Sequence, residues 1–350
     1  MSGRDIFFGA QFFRTLRENN YVYIDKTGFI SEFLSGDGAK VSVITRPRRF
    51  GKSLLLDMLR EFFDQTKDSR EIFDGLAVSE EKELCEEWMN KYPVIYLSLN
   101  KIKGDSFDIT YNRFQRIISE LYKEHLYLLD SNKLNSFDKE DMLSIIKRTC
   151  DSGLLVFSIK MLCEAIYQDC GIKPIILIDE YDAPFEKIEG EEDYKKMASF
   201  LDHFFEISLK NNEYFEFAIL TGCLPYTTEG ITTGFNNYVS YDINDLSFAD
   251  KFGFTQSEVQ SLLAEQGLSD KMDMLQEWYD GYCFGDSHPV YCPCDVMEYI
   301  CDLKTFSETE PQAYWYNIGS HNLVRTFIDK LNVLHLGKGI ATLLQGGIVT

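Results

Sequence analysis

The segment from residue 41 to residue 63, VSVITRPRRFGKSLLLDMLREFF, constrains the fold of this chain more than any other. An apolar run of β type leads into a short loop that ends Gly51-Lys52-Ser53, and apolar residues then recur at helical spacing. Strand, loop and helix in this order form a phosphate cradle, because loop N–H groups and a helix N-terminus both present positive partial charge to an anion. Gly51 lets the backbone approach the phosphates, Lys52 reaches the β- and γ-phosphates, and the Ser53 hydroxyl holds Mg²⁺.

A second element supports this prediction, since the pattern G-x-x-x-x-G-K-S/T is incomplete: Arg46 occupies the position of its first glycine. The apolar run at residues 175–178 ends in two adjacent carboxylates, Asp179 and Glu180. In a P-loop enzyme the first carboxylate holds Mg²⁺ through water and the second polarises the attacking water, at the carboxyl end of a buried strand. The two elements together predict nucleotide binding. The alternative is a purely structural role for both elements. The glycine would only turn the chain between strand and helix, and the two carboxylates would only face solvent at the end of a strand.

Five apolar segments have the length and composition of buried strands, and helical periodicity fills the chain between them. They lie near residues 41–45, 94–98, 174–179, 215–221 and 238–243. Parallel strands need crossover helices of this kind. We therefore predict an α/β fold with a parallel sheet. The phosphate-cradle motif described above indicates a three-layer P-loop NTPase, and likeness to that class of fold implies the strand order 5-1-4-3-2.

Thr221 ends the fourth predicted strand, directly before a glycine. In P-loop ATPases with an additional strand, this strand tip carries a residue that senses the γ-phosphate or orients water. We predict such a catalytic role for Thr221. Threonine before glycine is also ordinary strand-end chemistry, which is the alternative.

The chain after residue 250 changes to shorter helices. The sequence TQSE at 255–258 is a capping box that opens an amphipathic helix, and the glycine-rich segment at 278–286 predicts a turn. We predict an AAA-like P-loop ATPase domain over residues 1–250 and a mostly helical domain over residues 251–350. The second domain would act as a lid or coupling arm.

The formal net charge of −21 repels nucleic-acid phosphates over most of the surface, so we expect no direct nucleic-acid binding by this region. The densest positive cluster is Arg46, Arg48 and Arg49, whose expected anion is the nucleotide. No run approaches the roughly 18 apolar residues that a membrane helix needs, and the N-terminus lacks the pattern of a secretory signal. The nine scattered cysteines suit reduced thiols. These features predict a cytoplasmic protein without a membrane partner.

With these motifs the chain resembles the family of predicted bacterial and archaeal AAA-ATPase-like proteins, in which a P-loop ATPase is typically followed by a nuclease domain of the PD-(D/E)xK type. The segments that carry the resemblance lie at 21–27 (YVYIDKT), 46–56 (RPRRFGKSLLL), 177–184 (LIDEYDAP), 220–222 (LTG), 235–237 (FNN), 252–259 (FGFTQSEV) and 277–285 (EWYDGYCFG). Arginine in place of the first glycine of the loop is the family's own pattern. No D…E/D-x-K arrangement follows near the end of the sequence, so we assign no nuclease activity to these residues.

The resemblance implies phosphate binding by the loop, Mg²⁺ coordination by Ser53 and Asp179, and activation of water by Glu180. Glu180, Lys52 and Thr221 are thus the predicted catalytic residues. The predicted nucleotide-binding residues are Arg46, Pro47, Arg48, Arg49, Phe50, Gly51, Lys52, Ser53 and Leu54.

The sequence departs from the family pattern after Gly222, where Pro225 and Thr228 occupy positions at which relatives carry Arg and Lys. If either basic residue touches the γ-phosphate in relatives, its loss removes stabilisation of the transition state, and an arginine finger contributes roughly 10³ or more in rate. Binding would then survive without turnover.

Hypotheses of three classes follow. The first is Mg-dependent ATP hydrolysis that switches an attached or partner effector, such as a nuclease domain. The second is a nucleotide-binding sensory or structural module with little or no hydrolysis, and the third is an interaction scaffold that binds no nucleotide. A homo-oligomer is compatible with the first, because P-loop switches often borrow a charge from a neighbouring subunit.

Overall fold

The central sheet begins with β1 (Val41–Thr45), and every residue of this strand is buried. The computed structural model describes residues 3–7, 9, 12–36, 39–224, 237–285, 288–306 and 308–314. Four further strands complete the sheet: β2 (Val94–Ser98), β3 (Ile175–Asp179), β4 (Ala218–Gly222) and β5 (Val239–Tyr241). All neighbours pair in parallel, in the order β2-β3-β4-β1-β5. This confirms the predicted α/β class and the predicted order 5-1-4-3-2.

Helices connect the strands, as parallel pairing requires. In chain order they are α1 (Phe13–Glu18), α2 (Gly28–Ser35), α3 (Lys52–Phe63), α4 (Arg70–Phe73), α5 (Lys82–Trp88), α6 (Phe107–Glu124), α7 (Ser136–Lys147), α8 (Ser152–Val156), α9 (Ser158–Cys170), α10 (Glu191–Phe205), α11 (Gln256–Gln266), α12 (Met272–Tyr279) and α13 (Pro293–Thr305). Within the described ranges, no helix has both the length and the apolar character needed to span a bilayer.

The sheet is the middle of three layers, because alternate residues along a strand point to opposite faces. In β3, Ile176 and Ile178 lie in one apolar cluster with residues of α6, α9 and α10, while Ile175 and Leu177 lie in a second cluster with residues of α2 and α3. Burial on both faces explains why the strands are nearly continuous apolar runs. The predicted three-layer arrangement is confirmed.

A second sheet lies in the C-terminal part of the chain, where the sequence predicts helices and a turn. Its strands β6 (Phe254–Thr255), β7 (Tyr282–Phe284) and β8 (His288–Tyr291) pair antiparallel in the order β6-β8-β7. The predicted turn at 278–286 is therefore wrong across β7. Three residues are too few to show a strand period, and the strand forms because Phe284 is fully buried while its backbone pairs with β8.

The helix predicted from the capping box is confirmed as α11. Thr255 Oγ1 accepts a hydrogen bond from Glu258 N at 3.3 Å, and the Glu258 carboxylate accepts one from Thr255 N at 2.7 Å. The same carboxylate accepts a hydrogen bond from Lys26 Nζ at 2.7 Å, which joins α11 to the N-terminal part of the chain. The residues up to Tyr314 form one compact unit, and a domain boundary near residue 250 stays a prediction.

Arg46 ties the loop after β1 to the segment that follows β5. Its side chain is 1% exposed, and Nη1 donates to the carbonyl oxygens of Thr45 (2.8 Å), Tyr241 (3.0 Å) and Asp242 (2.7 Å). The guanidinium carbon also lies 5.0 Å from the centroid of the Phe252 ring. Burial lowers the pKa of Arg46 to about 10, so the group remains charged at neutral pH. Its guanidinium therefore acts as a buried structural cation, and a direct role in nucleotide binding stays a prediction.

We expect Arg46→Met to lower the free energy of unfolding by about 3 kcal/mol, because three buried or half-buried carbonyl groups lose their donor at about 1–3 kcal/mol each. Urea denaturation measures this loss. Arg116→Met is the matched control, since Arg116 is 70% exposed in a surface pair with Glu120. The control should change the free energy of unfolding by less than about 0.5 kcal/mol. Equal losses in the two variants would contradict the structural role of Arg46.

Candidate functional site

The loop between β1 and α3 contains two residues in the left-handed backbone region. Arg49 has a φ of 64° and Gly51 a φ of 85°. Helix α3 begins directly after Gly51, so glycine supplies at this corner a backbone conformation that strains other residues. The first N–H groups of a helix have no partner within the helix, and those of α3 adjoin the loop. The loop and the start of α3 therefore have the backbone geometry that an anion-binding site needs.

Lys52 lies inside this loop. Its side chain is buried, and Nζ donates to the carbonyl oxygens of Arg46 (2.9 Å) and Pro47 (2.8 Å). A third contact joins Nζ to Cys223 Sγ at 3.3 Å, directly after β4. The ammonium thus links the loop to the strand that separates β1 from β3.

Asp179 and Thr221 meet at the carboxyl edge of the sheet. Because β4 lies between β1 and β3, its end contacts both neighbours: Gly222 O accepts a hydrogen bond from Arg46 N at 3.2 Å, and Thr221 Oγ1 donates to Asp179 Oδ1 at 2.8 Å. Both side chains of the second pair are buried. The Thr221 hydroxyl therefore orients the Asp179 carboxylate, and its predicted role as a phosphate sensor stays a prediction.

Glu180 follows β3 in a strained backbone conformation. Its φ of 51° lies in the left-handed region, which costs a residue other than glycine about 1 kcal/mol. Within the described part of the chain, its buried Oε2 has no hydrogen-bond partner. Burial raises the pKa of Glu180, and the nearby Lys103 ammonium opposes that effect. A strained carboxylate with a free oxygen is typical of a residue kept for chemistry.

Charged side chains connect the loop to Glu180. Arg48 Nη2 lies 2.8 Å from Glu186 Oε1, and Lys103 Nζ lies 3.0 Å from Glu186 Oε2. The same Lys103 Nζ lies 3.7 Å from Glu180 Oε2. The four residues form a row of alternating charge from the loop to the end of β3.

Asp182 holds the backbone that follows β4. Its Oδ2 accepts hydrogen bonds from the N–H groups of Cys223 and Leu224, both at 2.9 Å, and the Tyr181 hydroxyl donates to Leu224 O. The approach of this turn is close at Gly222, where an added Cβ would lie 2.6 Å from the Tyr181 ring and 3.0 Å from Asp182 Oδ1. The two residues after the candidate carboxylate pair thus fix the neighbouring strand end.

Arg49 and Phe50 contact the C-terminal part of the chain. Arg49 Nη1 lies 3.4 Å from Glu298 Oε1 on α13. The Phe50 ring is 1% exposed and lies 4.8 Å, between centroids, from the Tyr282 ring on β7. The Phe50 carbonyl accepts a hydrogen bond from Gly253 N at 3.2 Å. The segment predicted to bind nucleotide is therefore also attached to α13 and the second sheet.

The remaining predicted site residues occupy the start of α3 and the segment after β4. Ser53 is half-buried in the first turn of α3, beside Lys52. Leu54 is half-buried and packs against the apolar cluster that contains α3. Pro225 and Thr228, on which the question of turnover depends, lie outside the described residues. The structure brings the loop lysine, Asp179, Glu180 and Thr221 to one edge of the sheet.

The family described as Predicted AAA-ATPase matches residues 7–232, which is more than half of the chain. This chain belongs to that family. The matched region contains β1 to β4, the loop and the Asp179–Glu180 pair. Membership confirms the resemblance stated from the sequence, and the family description points to an ATPase that uses a nucleotide.

A relative of this AAA-ATPase family member is the protein described as "Uncharacterized protein in vnfD 5'region" from Azotobacter chroococcum mcd 1. The two sequences are 25% identical over 323 residues, which cover 91% of this chain and 55% of the relative. The chain therefore spans about half the length of the curated relative that it matches.

The sequence analysis did not identify three residues of the site: Lys103, Asp182 and Glu186. Lys103 follows β2, and its ion pairs join it to residues after β3 that are distant in sequence. Asp182 stands inside the segment LIDEYDAP, two residues beyond the carboxylates that the motif identifies. A closer reading of that segment could have found Asp182, whereas only the strand order brings Lys103 to Glu180.

We expect Gly222→Ala to lower the free energy of unfolding by about 1–3 kcal/mol, because the added methyl group collides with the Tyr181 ring. Thermal or urea unfolding measures the loss. Gly281→Ala is the matched control, since nothing lies within 4 Å of a Cβ there. In a Tyr181→Leu background the Gly222→Ala loss should be smaller, and an unchanged loss would show that the ring is not the obstacle.

Proposed function

We propose that this member of the Predicted AAA-ATPase family binds ATP together with Mg²⁺ and hydrolyses it. The observation that carries the proposal is the convergence of the buried Lys52 ammonium and the Asp179–Glu180 pair at one edge of the sheet, on either side of β4. In a complex of a nucleotide with a divalent cation, the negative phosphates would suit Lys52 and the positive cation would suit the carboxylate pair. ATP is the nucleotide that the family description indicates.

The oxygen donors at the site suit Mg²⁺. Ser53 offers a hydroxyl and Asp179 a carboxylate, and Mg²⁺ is usually bound through one or two such groups while phosphates and waters complete its shell. When bound, the ion would neutralise charge on the phosphates. Thr221 would act through Asp179, since its hydroxyl fixes the orientation of that carboxylate.

Lys52 and Glu180 would perform the two charged tasks of hydrolysis. Lys52 already lies within the loop and would donate to the β- and γ-phosphates together with the N–H groups at the start of α3. Glu180 would accept a hydrogen bond from the attacking water through its free Oε2. Glu180 is half-buried and its Oε2 is buried, so few other waters would compete for that oxygen.

We propose that hydrolysis works as a switch, because the loop is bound to the C-terminal part of the chain as well as to the sheet. The Arg49–Glu298 pair and the Phe50–Tyr282 contact would change whenever the loop adjusts to the γ-phosphate. Residues 251–350 would carry that change to an effector, attached or separate, or to a second copy of the chain. We place this switch in the cytoplasm, in keeping with cysteines that are free thiols.

The second candidate is a module that holds nucleotide without turnover. Pro225 and Thr228 favour it, because the family resemblance implies basic residues at these positions, and Arg48 is engaged with Glu186. A site without a basic side chain at the γ-phosphate keeps the affinity of its loop for nucleotide but loses stabilisation of the transition state.

Glu180→Gln separates the two candidates. We expect the variant to release phosphate from Mg-ATP at least about 100-fold more slowly than the wild type, because general-base catalysis contributes roughly 10²–10⁴ in rate. It should retain ATP, because the loop is unchanged. Phosphate release and bound nucleotide are measured on the same samples.

Two controls complete the experiment. Glu189→Gln removes an exposed carboxylate nearby and should turn over like the wild type. Lys52→Ala should lose nucleotide. Tight binding without phosphate release in the wild type would support the module, and no binding by any variant would leave only the scaffold hypothesis.

Thr221→Val tests whether Thr221 positions Asp179 or senses phosphate. Valine keeps the buried shape and removes the hydroxyl that donates to Asp179. We expect the Mg²⁺ concentration for half-maximal phosphate release to rise about tenfold, the effect of losing a hydrogen bond to a charged group. Thr221→Ser keeps the hydroxyl and should stay close to the wild type. A loss of kcat that saturating Mg²⁺ does not restore would instead support the sensor role.

A further inference from the structure

Lys103 lies in the loop between β2 and α6, and this loop is fixed to the end of β3. Leu99 N donates to Asp179 O at 2.9 Å, and the Lys103 carbonyl accepts a hydrogen bond from the Arg113 guanidinium. The neighbouring Ile102 is fully buried. A lysine on a backbone held in this way is directed at the edge of the sheet and differs from a mobile surface lysine.

The surroundings of Glu180 give this lysine a task. Asp179 on β3 and Glu186 after β3 repel the Glu180 carboxylate, while Lys103 and Lys52 attract it. Among the described residues, Lys103 is the cation in an ion pair with Glu180. Lys52 is held instead by the loop carbonyls. Without Lys103, the two neighbouring carboxylates would push the Glu180 side chain from its place.

Lys103 lies closer to Glu186 than to Glu180, which leaves the Glu180 carboxylate free to accept a hydrogen bond. Lys103 Nζ is 3.0 Å from Glu186 Oε2, within hydrogen-bond range, and 3.7 Å from Glu180 Oε2, beyond it. At 3.7 Å the charges still attract, but the oxygen keeps its capacity to accept a hydrogen bond from water. Glu186 is held in turn by Arg48 of the loop.

We propose that Lys103 is a positioning residue for hydrolysis: it holds the Glu180 carboxylate by charge, and Glu186 keeps it from binding that carboxylate directly. The inference rests on the proposed ATPase activity. It makes the loop and Glu180 parts of one network, since Arg48 and Lys103 share the two oxygens of Glu186.

Lys103→Met tests the proposal, because methionine keeps most of the side-chain length and loses the charge. We expect kcat for Mg-ATP hydrolysis to fall about tenfold or more, a part of the general-base contribution. The Kd for Mg-ADP should stay within about twofold, because a positioning residue for the attacking water makes no contact with the bound nucleotide. Lys103→Arg should restore most of kcat. Lys101→Met is the matched control, since Lys101 is exposed in the turn that precedes Lys103.

The outcomes separate this inference from the proposed function. A wild-type chain that releases no phosphate overturns both. Turnover that is equal in the wild type, Lys103→Met and Lys101→Met overturns the positioning role and leaves the ATPase standing. A Lys103→Met variant that loses kcat, nucleotide affinity and thermal stability together, without rescue by arginine, shows a purely structural lysine and also overturns it.

Glu186→Gln gives an independent measurement. Without the Glu186 charge, Lys103 is free to close on Glu180 and occupy its oxygen, so kcat should fall several-fold. In the double variant the two losses should not add, because both act through the same lysine. Losses that multiply would contradict a shared network.

Discussion

The buried charge of Arg46 is the interaction on which the rest of the site depends. The guanidinium at the start of the loop after β1 finds its partners in carbonyl groups of β1, of β5 and of the residue after β5. Because a buried cation must be compensated, the loop cannot form unless the chain after β5 comes to meet it. Glycine, which occupies this position in the pattern G-x-x-x-x-G-K-S/T, would not require carbonyl partners from the chain after β5. The arginine thus makes folding of the loop conditional on folding of its surroundings.

The position of β4 explains how the chemistry is assembled. This strand separates the loop strand from the carboxylate strand, and its final residues contact both: Gly222 binds the loop backbone, and Thr221 binds Asp179. Cys223, the next residue, touches Lys52 and is held by Asp182. A single strand end therefore sets the separation between Lys52 and Asp179, the groups that we propose to bind the phosphates and the cation.

Local patterns in the sequence were sufficient for the strands of the main sheet, the loop and the carboxylate pair, because each depends on neighbouring residues and on a periodicity of two or 3.6. The strand order was predicted from likeness to P-loop NTPases, because no local pattern specifies which strands pair. They were insufficient where the deciding partner is distant along the chain. From the sequence, Arg46 was predicted to bind an anion, and only the structure shows that its side chain binds backbone carbonyl groups. Lys103 comes close to Glu180 only because β2 pairs with β3. Strand β7 was missed because its stability comes from packing of Phe284.

The left-handed backbone of Glu180 has a consequence for how this protein tolerates change. Glycine adopts that conformation without cost, so its introduction at position 180 would remove strain and a buried, unsatisfied carboxylate oxygen at the same time. A selection for more stable variants would therefore favour glycine at position 180. The proposed catalytic role of Glu180 would therefore be opposed to stability, and measurements of folding alone would not reveal it.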